Sequence, residues 1–118
     1  MLRRFVGLAE HAVAGWIDDL FLGIAWIMPL TQGSRCGLIH MACAGEAWQA
    51  EAFGRWWLRD VLPEHYDSLL AFLPVAFRHV RRVVEALDFY VVTRIPGGAC
   101  LTMRNNRITD AVLYQRNL

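Results

Sequence analysis

Lysine is absent from this chain, and all twelve basic side chains are arginines. This bias is typical of a GC-rich genome and carries no chemistry of its own. The arginines are balanced by 11 acidic residues, so the formal net charge is only +1. A chain without an excess of positive charge offers no broad surface to a phosphate backbone, and we therefore expect no nucleic-acid binding.

Cysteines are few, and their spacing is not that of a disulfide framework. Cys36, Cys43 and Cys100 are odd in number and include no C-x-x-C pair. His40 and Cys43 form an H-x-x-C pair, but a closed zinc site needs two further ligands. We therefore expect neither disulfides nor a metal site, which fits a reducing compartment.

Long apolar runs are also missing. The longest one, Leu20 to Leu30, has eleven residues and contains Gly23 and Pro29, whereas a membrane-spanning helix needs about twenty residues. The first twelve residues include two arginines but no long apolar core or cleavage site, so we expect no signal peptide. Membrane binding is not expected.

Apolar side chains, in contrast, are abundant. Hydrophobic residues make up 56% of the 118 positions and include five tryptophans, and the mean hydropathy is +0.29. A chain of this length has room for one domain, whose surface is too large for all these side chains to be buried. We expect a single domain over residues 1–118 with an apolar patch for a partner; a core unusually rich in apolar residues is the alternative.

The clearest pattern lies between Ser68 and Val92. A short apolar run ends at Pro74, which is suited to opening a helix. From Val75 the apolar residues follow a helical period, and from Phe89 the chain becomes aromatic and β-branched, as strands are. Strand, helix and strand in this order predict a βαβ unit with parallel neighbouring strands.

The rest of the chain predicts one helix before and one helix after an antiparallel meander, and a hairpin at the end. The predicted helices are Leu2–Ala9 and Glu46–Val61, the meander strands are His11–Ile17, Phe21–Met28 and Cys36–Cys43, and the final strands are Ala99–Arg104 and Ile108–Tyr114, with turns at Pro96–Gly98 and Asn105–Asn106. The fold class is therefore α/β with a mixed α+β sheet: a meander, a βαβ unit and a C-terminal hairpin, with helices packed on a central sheet.

This order, together with the sequence LAFLPVAFRHVRRVVEALDF from Leu70 to Phe89, resembles the GCN5-related N-acetyltransferase (GNAT) superfamily. Many of its members carry a helix that ends in Leu-Gly-Phe, and here the ending is Leu87-Asp88-Phe89. The stretch His79 to Arg82 is similar to the small GNAT-like proteins encoded beside structural genes in podovirus-type tailed phages. The resemblance covers residues 12–115 in topology. Compared with a full GNAT domain, the chain is short at its N-terminus.

The resemblance implies a coenzyme A site in the loop after the fourth strand. There, active relatives carry Arg/Gln-x-x-Gly-x-Gly/Ala at the start of a helix, where backbone N–H groups bind the pyrophosphate. The matching loop here contains only Ala44, Gly45, Glu46 and Ala47 before the bulky Trp48. Glu46 suits the first turn of a helix but repels a pyrophosphate.

The same comparison implies that two further polar residues are missing. Active relatives often carry Asn near the start and Tyr near the end of the βαβ helix, where the Tyr serves as general acid. Phe77 and Val84 stand at these positions, and neither can donate a proton. The resemblance therefore predicts a degenerate domain.

From this we expect a GNAT-like binding or structural subunit without a cofactor or enzymatic activity, in particular a bacteriophage virion or virion-assembly protein. It would form a homo-oligomer or a complex with other proteins, in the cytoplasm of a bacterial host or in the virion. The alternative is an active, small acetyl-CoA-dependent N-acetyltransferase, with His40 or Glu46 as the base. A third hypothesis is a factor that blocks a host protein.

Two groups of residues are candidates for a protein interface. Trp48 and Trp56 are two helical turns apart and share a face, whereas Trp57 points about 100° away. One tryptophan is therefore expected in the core and another at a partner, since tryptophan is enriched at interface hot spots. The polar side of the βαβ helix supplies the second group: Arg78, His79, Arg81 and Arg82.

Overall fold

The computed structural model describes residues 3–9, 12–43, 47–100 and 107–118, without the side chains of residues 3–9, 17, 43 and 47. These residues form one seven-stranded mixed sheet and two α-helices. The strands lie in the order β1-β2-β3-β4-β5-β7-β6. The elements are β1 (Arg3–Ala9), β2 (Ala12–Ile17), β3 (Leu20–Pro29), β4 (Cys36–Cys43), α1 (Ala47–Trp56), β5 (Ser68–Pro74), α2 (Arg78–Ala86), β6 (Tyr90–Cys100) and β7 (Ile108–Asn117).

The first four strands form an antiparallel meander, as the sequence predicts. The predicted helix Leu2–Ala9 is wrong, because residues 3–9 form β1 and pair with β2 at six positions. Eight residues are too few for apolar spacing to separate a helix from a strand, and the pairing with β2 decides the outcome. Asp18 makes the turn between β2 and β3 with a φ of 51°.

The predicted βαβ unit is present, but its two strands are not neighbours. β7 lies between β5 and β6 and is antiparallel to both. The expected direct pairing of β5 with β6 is therefore wrong, because the hairpin returns its second strand into the space between them. Among the described residues, the parallel pair is β4 with β5, and α1 is its crossover connection.

The C-terminal hairpin is confirmed, but Pro96–Gly98 is not its turn. β6 runs through these residues, and the register shifts between Ile95 and Ala99, which makes a bulge. Gly97 takes a φ of +64° in this bulge, which favours glycine. Residues 101–106, including the predicted turn Asn105–Asn106, lie outside the described part of the chain.

Both helices pack on the same face of the sheet. The predicted helix Glu46–Val61 is α1 followed by a π-helical turn at Trp57–Val61. The predicted start of the second helix at Val75 is three residues early, because Val75 and Ala76 form a turn and α2 begins at Arg78. The core between helices and sheet contains Val13, Leu22, Ala25, Ile27, Phe53, Trp57, Leu58, Leu62, Tyr66, Leu69, Ala71, Leu87, Phe89, Val112 and Tyr114.

Within the described ranges, no helix has the length and apolar character that crossing a membrane requires.

A gap between two parallel strands as the candidate active site

The centre of the sheet is split. β4 and β5 pair at only three positions, from Cys36 with Ser68 to Leu38 with Leu70. Beyond these positions β4 stays paired with β3 and β5 stays paired with β7, so the two strands separate. Alternate backbone groups of residues 39–43 and 71–74 therefore face an opening without a strand partner. We call this opening the β4–β5 gap.

The closed end of the gap is held by contacts before the paired residues. The backbone N–H groups of Asp67 and Ser68 donate to the carbonyl oxygen of Arg35, at 2.8 and 3.3 Å. The Arg35 side chain donates from Nε to Oδ1 of Asp67 at 3.0 Å. The strands are thus fixed together at their amino ends, and the gap opens towards their carboxyl ends.

Two helices begin at the open end of the gap, since α1 follows β4 and α2 follows β5. Helix N-termini carry free N–H groups and positive potential, which favour anions. Trp48, 55% exposed, lies in the first turn of α1, and the exposed Phe77 precedes α2. Ala44, Gly45 and Glu46 lie outside the described residues, as does the side chain of Ala47. Their predicted failure to bind pyrophosphate stays a prediction.

His40 lies on β4, two residues past the last pair with β5. It is opposite Trp26 of β3, and the two rings stack with centroids 5.2 Å apart and planes inclined by 11°. The His40 Nε2 is shielded from solvent and has no hydrogen-bond partner among the described groups. A shielded ring nitrogen without a partner is uncommon in folded proteins, so His40 is a candidate for a contact that the described residues do not provide. The side chain of Cys43, its predicted neighbour, is not described.

The face of the sheet that carries His40 is mostly apolar and lacks a helix in the described part of the chain. The pairing register places neighbouring side chains of four strands on this face: Ile24, Trp26, Met28, Leu38, His40, Ala42, Leu70, Phe72, Leu113 and Gln115. None of them is Asp, Glu, Arg or Lys. Met28 and Phe72 are about half exposed. The apolar patch predicted from composition therefore has a counterpart beside the β4–β5 gap.

The three tryptophans of the predicted interface differ in how far they are buried. Trp57 is only 1% exposed and belongs to the core, Trp56 is partly buried against it, and Trp48 is mostly exposed. Of the three, Trp48 is thus the one that can reach a partner without disturbing the core. Its contact with a partner stays a prediction.

The polar side of α2 also separates into two kinds of residues. Arg78, His79 and Arg82 are exposed, but Arg81 is partly buried. Arg81 donates from Nε to the hydroxyl oxygen of Tyr114 at 2.9 Å and from Nη1 to the carbonyl of Val75 at 3.2 Å. Arg81 therefore fixes α2 to the sheet. An interface role for the other three stays a prediction.

Tyr114 completes this contact between α2 and the sheet. Its hydroxyl donates to Oε1 of Glu85 at 2.9 Å while it accepts from Arg81. Burial raises the pKa of Tyr114, and the hydrogen bond to Tyr114 raises the pKa of Arg81. No local pattern in the sequence marks Tyr114, because Tyr114, Arg81 and Glu85 meet only after β7 has inserted beside β5.

The β4–β5 gap was likewise not predicted, although the sequence contained a signal for it. Helices that follow two central strands mark the position where open α/β sheets bind ligands. The order of elements does not, however, tell how far two parallel strands pair before they separate.

No protein-family model matches the chain, and no curated protein matches it either. Solved structures do match. A ribosomal-protein-alanine N-acetyltransferase from Brucella melitensis has a TM-score of 0.74 at 10% identity, over 91% of this chain and 68% of that chain. An N-acetyltransferase from Staphylococcus aureus has 0.72 at 11% identity, over 90% and 66%. A microcin C7 self-immunity acetyltransferase, solved with acetyl-CoA and AMP, has 0.71 at 10%, over 92% and 62%.

These similarities show that the chain has the GNAT-like fold, while it spans about two thirds of the length of those structures. They also correct the interpretation of the chain as a phage structural protein without activity or cofactor. The three structures are acetyltransferases, and one was solved with acetyl-CoA. The interpretation rested on the loop after β4, whereas the short pairing of β4 with β5 depends on the fold and leaves no mark in that loop.

Proposed function

We propose that this chain is an acetyl-CoA-dependent N-acetyltransferase. The observation that carries the proposal is the β4–β5 gap, where strand edges without partners stand beside two helix N-termini. Acetyl-CoA supplies the activated acetyl group as a thioester, and its pantetheine arm contains two amides. Such amides match the unpaired N–H and C=O groups of residues 39–43 in the way that an added strand would.

The open end of the gap suits the phosphates of the same molecule. The first turns of α1 and α2 direct free N–H groups towards this end, and Arg78 adds an exposed guanidinium to the first turn of α2. These groups can offset the negative charge that Glu46 brings to the loop. The donors present therefore fit an elongated molecule with amides at one end and phosphates at the other.

His40 is the residue that we assign as the general base. An acceptor amine must lose a proton to attack, and an imidazole is suited to accept it near neutral pH. The Trp26 ring holds the imidazole on one side, and Nε2 has no hydrogen-bond partner among the described residues that would compete with an amine. Because Nε2 is shielded, a neighbouring group has to move before an acceptor amine can reach it. The uncharged surroundings favour an amine attached to an apolar group.

The proposal is tested by calorimetric titration with acetyl-CoA and by measuring thiol release with two amines, phenethylamine and spermidine. We expect saturable acetyl-CoA binding and faster transfer to phenethylamine, because none of the described side chains that share this face with His40 is acidic and could bind a polyamine. Folded protein that binds no acetyl-CoA at concentrations up to about 1 mM, an affinity of about −4 kcal/mol, would overturn the proposed function.

Replacing His40 tests its assignment separately. His40→Gln should lower kcat by roughly 10²-fold or more, the usual contribution of a general base, without changing the Kd for acetyl-CoA. His79→Gln removes an exposed histidine on α2 and serves as the matched control, with kcat unchanged. Equal kcat values for His40→Gln and the wild type would refute the assignment.

A further inference from the structure

A pocket lies near the amino end of β5, which is the opposite end of the strands from the open end of the β4–β5 gap. Its volume is about 150 Å³, and its walls are Arg55, Leu58, Arg59, Leu87, Asp88 and Arg116. These residues come from the end of α1, the π-helical turn, the end of α2 and the end of β7. Arg116 pairs with Leu69, near the amino end of β5. The pocket is thus about one strand length, roughly 20 Å, from the open end of the gap.

Two of its three arginines already have carboxylate partners. Arg55 donates from Nη2 to Oε1 of Glu51 at 2.6 Å and to the carbonyl of Ala86 at 3.0 Å. Arg59 donates from Nε to Oδ1 of Asp60 at 3.0 Å. Their charges are therefore largely compensated, and they add little net attraction for an anion.

The third arginine, Arg116, and the one acidic wall residue, Asp88, have no carboxylate or cationic partner among the described residues. The Arg116 Nη1 is shielded from solvent and makes no hydrogen bond among the described groups. Asp88 makes no side-chain hydrogen bond or ion pair within the described part of the chain, and the two residues do not pair with each other although they line the same pocket. A cationic donor that has lost solvent and has no partner is costly, and a carboxylate would satisfy it. Because Nη1 is closed to solvent, the Arg116 side chain has to move towards the pocket to make this contact.

We propose that this pocket, which we call the Arg116–Asp88 pocket, binds a small zwitterion, namely a free α-amino acid. The ligand carboxylate binds Arg116, and the ammonium group binds Asp88. Leu58 and Leu87 supply an apolar wall for a short side chain. A cavity of about 150 Å³ can hold a molecule of six heavy atoms such as benzene, which is the heavy-atom count of alanine.

The distance from the gap decides what such a ligand can do. An amine bound about 20 Å away cannot reach an acyl group in the gap, so the amino acid is not the acceptor. It would instead join the end of α2 to the end of β7 and stabilise the folded chain by mass action. The proposal therefore stands independently of the proposed acetyltransferase activity.

Thermal denaturation and calorimetry with L-alanine, acetate and ethylamine test the pocket. We expect L-alanine at millimolar concentration to raise Tm, and expect acetate and ethylamine, alone or mixed, to have at most about a tenth of its affinity, because each carries one of the two charges. Acetate that binds as tightly as alanine would overturn the zwitterion in favour of a simple anion site.

Two variants locate the binding. Arg116→Gln should abolish the effect of alanine. Asp88 has a left-handed backbone with a φ of +67°, which asparagine also tolerates. Asp88→Asn therefore removes only the charge, and it should weaken alanine binding about tenfold and leave acetate binding unchanged. Arg82→Gln, an exposed arginine of α2, is the control and should bind as the wild type does. If Arg116→Gln does not fold, the test depends on Asp88→Asn. An Asp88→Asn variant that binds L-alanine as tightly as the wild type would refute the proposal.

Discussion

The backbone conformation of Asp88 explains why the matching position of the Leu-Gly-Phe motif holds glycine. Asp88 has a φ of +67°, in the left-handed region. The N–H of Asp88 donates to the carbonyl of Glu85 and that of Phe89 to the carbonyl of Val84, both at 3.1 Å. These bonds make a Schellman cap on α2 with Asp88 at the position that usually holds glycine. The Leu-Gly-Phe motif thus carries glycine at this position because the helix cap requires a left-handed backbone there.

The sign of the change in the free energy of unfolding can therefore be predicted for substitutions of Asp88. Asp88→Gly should stabilise the protein by about 0.5–1 kcal/mol, because glycine adopts the left-handed region without steric cost. Asp88→Ala should destabilise it by about 1 kcal/mol, because alanine cannot. Urea denaturation measures both. An Asp88→Ala variant as stable as the wild type would contradict this account of the cap.

Tyr114 is the second residue whose effect can be predicted. Its side chain is fully buried, and its hydroxyl accepts from Arg81 and donates to Glu85. Tyr114→Phe should cost about 1–3 kcal/mol, because Arg81 and Glu85 lose their partner in a partly buried position. Tyr90→Phe is the control, since Tyr90 is 47% exposed. Equal urea midpoints for the two variants would show that the buried hydroxyl contributes nothing.

Among the elements, the β6–β7 hairpin is stabilised by a carboxylate at its bulge. Oδ1 of Asp110 accepts the N–H of Gly97 at 3.1 Å, and Oδ2 accepts Nε of Arg94 at 2.7 Å. The bond from Gly97, and then the one from Arg94, lower the pKa of Asp110. A folded-state pKa below the unfolded one adds stability above the unfolded value, near 3.9, and this stability is lost as the pH falls through the folded value.

The bulge therefore predicts a pH dependence. The difference in Tm between the wild type and Asp110→Asn should be largest near neutral pH and should shrink as the pH falls below about 4, where aspartates begin to be protonated. Thermal melts across this range measure it. Asp19→Asn, in an exposed turn, controls for the loss of a surface charge. A difference that is constant with pH would assign the effect to packing.

Whether the bounds and the pairing of a strand or helix can be predicted depends on whether local or distant residues determine them. The sequence predicts β4 with its observed bounds, Cys36–Cys43, and an apolar run from Ser68 that ends at Pro74, as β5 does, because turn residues and proline are local signals. The insertion of β7 beside β5 is a pairing between distant residues that no local pattern contains. Leu2–Ala9 failed for the same reason, since pairing with β2 determines its state.

In the candidate sites, too, contacts between distant residues could not be predicted from the sequence. His40 could be named from the sequence as a base, but its stacking on Trp26 depends on the register of β3 with β4. Arg116 and Asp88 are far apart in the sequence, and they share a pocket only because α2 ends where β7 ends. The chemical role of a single residue can therefore be predicted from the sequence, whereas knowing which residues lie close together requires the fold.

For the whole molecule, the β4–β5 gap divides one sheet into two parts that are joined at three paired positions. A ligand that pairs with both edges would restore the missing hydrogen bonds. Acetyl-CoA should therefore slow hydrogen exchange at the amides of residues 39–43 more than at those of β7, which already lies between two strands. Exchange measured by mass spectrometry tests this, and equal slowing of both segments would contradict binding in the gap.

The same gap has a consequence for solubility. A sheet normally has two edges, but this one has four, because residues 39–43 and 71–74 add an inner pair. Unpaired strand edges are templates for strands of other chains, and proteins usually protect them with charge, proline or a cover. The inner edge of β4 contains Ile39 and Met41 and no charged residue between Ile39 and Cys43. The ligand that fills the gap would therefore also keep this protein from aggregating.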